Sequence, residues 1–319
     1  MSSQDNKSPI EISVRKEINS LKVKNVLIAL SGGADSIATA FALKKAGLQV
    51  KALHCNFHLR GRESDRDMEF VEEFCKNYDI PLEIKEFDVE GYKSVNKNVS
   101  VEMACRNLRH EWFRERLCES GAERIVTGHN ADDNIETFFL NVLRGSGSRG
   151  LKGMEADNGV IWRPLLSFHR HEILSYLNEN KLTYVVDSTN LESDYRRNFL
   201  RNKVIPLLKS EWEGFDTALD KTLKNLEAEN RLVEKTITES LPLPLQPLPV
   251  SVILNSPAPL LLLQRFIGAA GPFRNTAEEI LSAIKADKPH IRRWRLKSGM
   301  VFLRNGNLFI EMGHGESRT

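Results

Sequence analysis

Five apolar residues, Val26-Leu27-Ile28-Ala29-Leu30, stop at a hydroxyl and two glycines. The run is too short and too β-branched for a helix and reads as a buried strand. Apolar positions then fall at Ile37, Ala40, Phe41 and Ala42, the spacing of a helix over Ile37–Ala46. The same exchange of short apolar runs with helix-spaced ones continues. It predicts strands at Val50–Phe57, Leu82–Val89 and Arg124–Gly128, and helices at Asp65–Tyr78 and Val101–Ser120. Strands alternating with helices imply a parallel sheet covered on both faces. In such sheets ligands bind beyond the carboxyl ends of the strands. After the fourth strand, Ile135, Phe138, Phe139 and Val142 fall at i, i+3, i+4 and i+7 and predict one buried helix face.

Near Asp216 the texture changes. Phe215–Ser240 is a long polar helical pattern without Pro or Gly. Leu241–Pro249 carries four prolines in nine residues, which forbids helix and favours an extended linker. Beyond it, Pro257–Gly268 and Thr276–Ala286 read as helices, and Ile291–Leu296, Val301–Arg304 and Leu308–Glu311 as short strands joined by turns. The expected division is a lead segment over 1–22, a parallel-sheet domain over 23–215, a helical and Pro-rich linker over 216–249 and a small α+β domain over 250–319.

Composition narrows the class. At 319 residues, 41% hydrophobic and 28% charged, the chain fits a soluble protein of about two domains. No apolar run reaches the roughly 18 residues that a bilayer span needs. The start, Met1 to Lys7, is polar and lacks a signal core, so a cytoplasmic location without membrane attachment is expected. Cys55, Cys75, Cys105 and Cys118 form no CxxC pair, which suits reduced thiols rather than a metal cluster.

Two constellations carry chemistry. In the first, Ser31-Gly32-Gly33-Ala34-Asp35-Ser36 joins a strand end to a helix start. Free backbone N–H groups and the positive end of the helix dipole converge there, an anion site. The glycines let backbone approach closely, and Ser31 and Ser36 add hydroxyls. The spacing is neither a Walker loop nor GxGxxG. In the second, Thr127-Gly128-His129-Asn130-Ala131-Asp132-Asp133-Asn134-Ile135-Glu136-Thr137 follows the fourth strand. Asp132, Asp133 and Glu136 can point out of one helix end into one site. They suit either a helix N-terminus capped by Asn130 or Asp132, or a cation: Mg²⁺, a substrate amine, or both.

The loop Ser31–Ser36 resembles the SGGxDS pyrophosphate loop of the N-type ATP pyrophosphatases. Further residues sharpen the resemblance. These are TGHxxDDxxET at Thr127–Thr137, Arg144-Gly145-Ser146-Gly147, Arg60-Gly61-Arg62-Glu63-Ser64-Asp65, Ala104-Cys105-Arg106-Asn107-Leu108-Arg109, Arg163-Pro164-Leu165-Leu166, Asp187-Ser188-Thr189-Asn190, and Tyr195 to Arg201. Together they are similar to the tRNA(Ile)-lysidine synthetase family. The last third of the chain matches that family only in size and place.

The resemblance implies a PP-loop (adenine nucleotide α hydrolase-like) domain with ATP and Mg²⁺. It implies adenylation of the C2 oxygen of the wobble cytidine in the CAU-anticodon isoleucine tRNA, then displacement of AMP by the ε-amine of L-lysine. Ser31, Gly32, Gly33, Ala34, Asp35 and Ser36 would cradle the phosphates beside Gly128, with Asp35 contacting the metal or simply capping its helix. His54 and Phe57 would hold adenine or belong to the core. Arg109 would meet the α-phosphate or the base, or be a surface arginine. His129 would contact nucleotide or base, or be a hydrogen-bonded neutral imidazole. Asp133 and Glu136 would recognise lysine, and one would accept its proton. Arg196 and Arg201 on one helix, and Arg293 and Arg295 on one strand face, would contact tRNA or be solvated charge. A homodimer is compatible with the family. The alternatives are a 2-thiolating relative, disfavoured by the missing CxxC pairs, and a non-catalytic tRNA-binding protein, disfavoured by the carboxylates.

Overall fold

The computed structural model describes residues 8–186, 195–243, 246–268, 270–271, 275–286 and 292–312. The chain separates into two compact units, 1–226 and 227–319.

In chain order the first unit runs α1 (Pro9–Leu21), β1 (Asn25–Ala29), α2 (Ala34–Lys45), β2 (Gln49–Asn56), α3 (Arg62–Asn77), β3 (Leu82–Glu86), α4 (Val89–Val95), α5 (Val101–Ser120), β4 (Arg124–Val126) and α6 (Ala131–Leu143). It continues with α7 (Ser148–Leu151), β5 (Ile161–Trp162), α8 (Arg170–Glu179), α9 (Tyr195–Phe199), a π-turn over Leu200–Val204 and α10 (Ile205–Glu211). Helix α11 (Phe215–Ser240) starts in the first unit and runs into the second.

The five strands form one parallel sheet in the order β3-β2-β1-β4-β5. The expected parallel sheet is therefore present. Its order reverses between β1 and β4, and at such a switch point the diverging loops leave a crevice. Strand alternation sends Ile28, Ala52 and Val126 into the larger core, with α2 and α8 residues such as Ile37 and Ile173. Leu27, Leu53 and Ile125 meet Trp112 and Phe113 of α5 on the other side.

Several boundaries differ from expectation for local reasons. β3 stops at Glu86 rather than Val89 because Asp88 caps α4, its Oδ1 accepting from the Gly91 N–H at 2.8 Å. The face of α6 is rotated: Ile135 and Leu140 are buried, whereas Val142 is 45% exposed. Ile135 and Leu140 pack with Leu200 and Ile205 beyond α9, not with the sheet. The Asp187–Asn190 motif and Asp194 lie outside the described residues.

The second unit holds β6 (Leu248–Pro249), α12 (Val250–Leu254), α13 (Pro259–Gly268), α14 (Thr276–Lys285), β7 (Arg292–Leu296), β8 (Gly299–Arg304) and β9 (Asn307–Met312). Its strands make an antiparallel sheet in the order β6-β9-β8-β7. The end of the Pro-rich stretch is thus not plain linker, since Leu248 is wholly buried and pairs with Leu308. Ile291 lies outside the described residues.

Candidate active site

The loop after β1 is shaped by its glycines. Gly32 sits at φ +85, a region that L side chains rarely adopt. Its carbonyl accepts from the Val185 N–H at 2.9 Å, which ties the loop to the chain after α8. Gly33 caps α2, so the first-turn N–H groups of Ala34, Asp35 and Ser36 are at positions without intrahelical partners. The Ser36 hydroxyl donates to the Gly33 carbonyl at 2.8 Å and lies 3.2 Å from the Ser31 hydroxyl.

The turn after β4 is seated directly on this loop. A Cβ on Gly128 would stand 2.8 Å from the carbonyl carbon of Asp35 and 2.9 Å from the nitrogen of Ser36. Both are backbone atoms that cannot move aside, so only glycine fits. Asn130 then starts α6 with a capping box: its Oδ1 accepts from Asp133 N–H at 2.9 Å, and Asp133 Oδ2 accepts from Asn130 N–H at 3.1 Å.

The three carboxylates do not share one site as expected; they split. Glu136 is 1% exposed. It accepts from Arg197 Nε at 2.6 Å, from Arg201 Nη2 at 3.0 Å and from Arg201 Nε. Asp133 Oδ1 accepts from Arg201 Nη2 at 3.1 Å and Arg197 Nη2 at 3.3 Å. Burial pulls Arg201 down, but Glu136 and Asp133 outweigh it and hold the guanidinium above its ordinary value. Arg201 is thus part of the site wall. Arg196, its neighbour on α9, is exposed.

Asp132 turns the other way. Its Oδ2 accepts from the Arg170 backbone N–H at 2.7 Å, and its Oδ1 from Lys209 Nζ at 3.0 Å. Lys209 also pairs with Asp216 at 2.9 Å, and His169 lies between Asp132 and Asp220 at 3.5 and 3.2 Å. Asp132, His169 and Asp216 are close enough to hold a metal ion, but Lys209 already supplies the cation between the two carboxylates. Burial opposes the charge on Asp132, yet His169, the Arg170 N–H and Lys209 win and hold it well below the usual carboxylate range. Asp132 in turn lifts His169 to about 9 against the effect of burial.

Asp35 is the pivot of the loop. Its Oδ2 pairs with the Arg170 guanidinium, while Oδ1 is buried and has no hydrogen-bond partner among the described residues. Burial raises its pKa first, Arg170 opposes that, and the nearby Asp133 adds to the rise. An orphaned inward carboxylate oxygen beside a phosphate loop fits a hard divalent cation such as Mg²⁺.

His54 and Phe57 are not brought together. His54 is buried and its Nδ1–H donates to the Leu30 carbonyl at 2.8 Å, fastening β2 to the residue before the loop. Phe57 belongs to the opposite core and stacks on Phe87 at 5.1 Å. His129 lies within 2.8 Å of the Thr127 hydroxyl. Burial, then Arg163, Arg197, Arg109 and Arg106, push it down to about 4, so it is a neutral imidazole in a ring of guanidinium groups. Arg109 is exposed on α5 and close enough to act on Cys55, Cys105 and His129. Arg293 and Arg295 are exposed in the second unit.

Sequence reasoning passed over Arg170, His169 and Lys209, which stand outside any motif and reach the site only through α8 and α10. Arg197 was within reach of it: four residues before Arg201 on one helical stretch, it faces the same carboxylates.

Residues 6–208 match the PP-loop domain family. Over 248 residues the chain is 41% identical to a tRNA(Ile)-lysidine synthase of Bacteroides thetaiotaomicron, covering 77% of this chain and 58% of that protein. Over 264 residues it is 40% identical to the tRNA(Ile)-lysidine synthase of Porphyromonas gingivalis, covering 81% and 58%. The chain therefore spans well under two thirds of the length of these relatives. Among solved structures, a U34-tRNA thiolase from Methanococcus maripaludis superposes with a TM-score of 0.55 at 22% identity, over 68% of this chain and 78% of that one. At that identity the likeness is one of fold.

Proposed function

The chain belongs to the PP-loop domain family, and on that footing we propose that it ligates L-lysine to C2 of the wobble cytidine of the CAU-anticodon isoleucine tRNA, consuming ATP and releasing AMP and pyrophosphate. The observation that carries this reading is the seating of Gly128 on the Asp35–Ser36 backbone. It sets the Asp133–Glu136 end of α6 beside the phosphate loop, so a polyphosphate and an amine can meet there.

The chemistry follows from the groups present. Cytosine C2 is a poor electrophile until its oxygen carries an adenylyl group. The N–H groups of the loop, with Ser31 and Ser36, receive the phosphates. Asp35 Oδ1 would hold Mg²⁺, which when bound offsets charge on the departing pyrophosphate. Arg109 and Arg163 add positive charge beside His129, which stays neutral and can accept or donate a hydrogen bond to the nucleotide without adding charge. Asp133 and Glu136 would take the lysine ammonium. Glu136 already receives three hydrogen bonds from Arg197 and Arg201, and Asp133 receives three from Asn130, Arg197 and Arg201. Of about four acceptor positions on a carboxylate this leaves one apiece, enough to orient an amine. The ε-amine loses its proton to a carboxylate, attacks C2, and AMP leaves with the former carbonyl oxygen.

Two of the four thiols are poorly suited to sulfur transfer. Burial pushes Cys55 up to about 12 and Cys75 to about 11, so neither supplies a thiolate near neutrality. Arg196, Arg293 and Arg295 are proposed tRNA phosphate contacts. The test is mass analysis of an unmodified isoleucine tRNA transcript after incubation with protein, Mg²⁺, ATP and L-lysine. An ATP-dependent lysine adduct on the wobble cytidine is expected; ATP cleavage without adduct would move the substrate.

A further inference from the structure

We infer that the open face of the C-terminal antiparallel sheet is a stacking platform for unpaired ribonucleotides. Register assigns its two faces. Trp294, Val301 and Ile310 lie opposite one another, as do Leu303, Leu308 and Leu248, and these residues line the core of the second unit. The alternate positions face away from that core. There Arg293 pairs with Phe302 and Phe302 with Phe309; Arg295 pairs with Met300 and Met300 with Glu311; Arg304 pairs with Asn307. Phe302 and Phe309 stack at 5.1 Å with their planes 7° apart, and both are half-buried. Two parallel rings thus lie side by side in an outer sheet face.

Stacked cross-strand phenylalanines stabilise a hairpin by themselves. What that role leaves unexplained is the charge around them. Arg293, Arg295, Lys297 and Arg304 are exposed, and none has an ion pair among the described residues. Glu311 is the one acidic side chain in the paired rows of this face. A ligand that suits flat apolar rings within a cationic border presents flat apolar groups on a polyanion. Single-stranded nucleic acid does both, because each unpaired base has a π-face and each linkage a phosphate. A paired duplex hides its bases, and an acidic peptide presents planar rings only at its aromatic residues, whereas every unpaired nucleotide carries both a ring and a phosphate. RNA rather than DNA is chosen because the inference rests on the tRNA reading above.

The test uses the whole chain and a short fluorescent oligocytidylate carrying one 2-aminopurine, with a blunt RNA duplex as control. Binding should quench the 2-aminopurine. Phe302→Leu with Phe309→Leu, which keeps an apolar sheet surface, should weaken oligomer binding about tenfold or more and leave duplex binding within about twofold. Arg293→Gln with Arg295→Gln should weaken both and flatten the salt dependence by about two charges. Thermal midpoints report that the variants are folded, and Phe309→Leu alone, a milder change on the same face, carries the test where the double variant is not. Absence of quench, unchanged oligomer binding by a folded Phe variant, or equal losses for oligomer and duplex would overturn the platform. Adduct formation on tRNA is scored separately: stacking without adduct sinks the functional reading alone, and adduct without stacking sinks this inference alone.

Discussion

Two arginine clusters, one in each unit, are treated in opposite ways. In the first, Arg197 and Arg201 close on Glu136 and Asp133, and Arg170 closes on Asp35. In the second, Arg293, Arg295 and Arg304 stand on an open sheet face without an acidic partner among the described residues. A basic stretch therefore has two meanings. Where the fold buries a carboxylate beside it, the guanidinium becomes a fixed wall, because an unpaired buried charge is too costly to leave. Where the fold offers only a flat sheet, the charge stays available for a partner that arrives with its own anions. The expectation of Arg201 as a tRNA contact rests on the basic residue alone, and the fold adds the Glu136 and Asp133 carboxylates against it.

Substitutions can break this contrast. The largest effect should come from Asp35→Ala, which removes the inward carboxylate of the loop. Single-turnover adduct formation should fall by about a thousandfold, with tRNA affinity nearly intact. Loss of affinity alone would place Asp35 in binding. Next is Glu136→Gln, which leaves Arg197 and Arg201 facing a neutral partner. Urea denaturation should report a loss of about 2–3 kcal/mol, below the usual cost of breaking a fully buried pair because the guanidinium groups are part-exposed. A neutral result would mean that the carboxylate is not the keystone of the wall.

Gly128→Ala should cost about 2 kcal/mol by forcing a methyl against the Asp35 carbonyl, and the KM for ATP should rise while that for lysine changes less. Acidity gives a fourth handle. His169 titrates at about 9 because Asp132 lies beside it, above the roughly 6.5 of an unfolded imidazole. A raised group contributes stability that is whole below pH ~6.5 and is lost as pH climbs through about 9. The thermal midpoint should fall over that window, and His169→Gln should flatten the fall. An unchanged slope would show that Lys209 carries the cluster without His169. The smallest effect is expected at the open sheet. Arg295→Gln should weaken tRNA binding about fivefold and reduce the salt slope by about one, with the stability of the first unit unmoved.

Much of the first unit is legible in the residues. The apolar run at Val26 and the glycines after it define strand, turn and helix, and α5 and α11 begin and end where the pattern places them. The chemistry of a phosphate loop is local, so a short stretch announces it. What is not legible is what depends on distant partners. Asp35 meets Arg170 across 135 positions, and Asp132 meets Lys209 across 77. β5 is two residues long and owes its place to Trp162, which is fully buried and donates to Glu17 in α1 at 2.7 Å. No periodicity shows in two residues. Val142 fails for a related reason: α6 turns its apolar side to the π-turn and the starts of α10 and α11, a stretch whose basic residues hide its core positions. At the second sheet the alternation was readable for Arg293 and Arg295. The pairing that puts Phe302 and Phe309 beside them needed the register.

The proposed reaction requires that the base oxygen, not the amine or the ribose, receives the adenylyl group. Isoleucine tRNA carrying heavy oxygen at C2 of the wobble cytidine, incubated with the chain, ATP, Mg²⁺ and L-lysine, tests it through the mass of the AMP released. AMP bearing the heavy oxygen is expected in step with lysine appearing on the base. Unlabelled AMP alongside a modified base would contradict it.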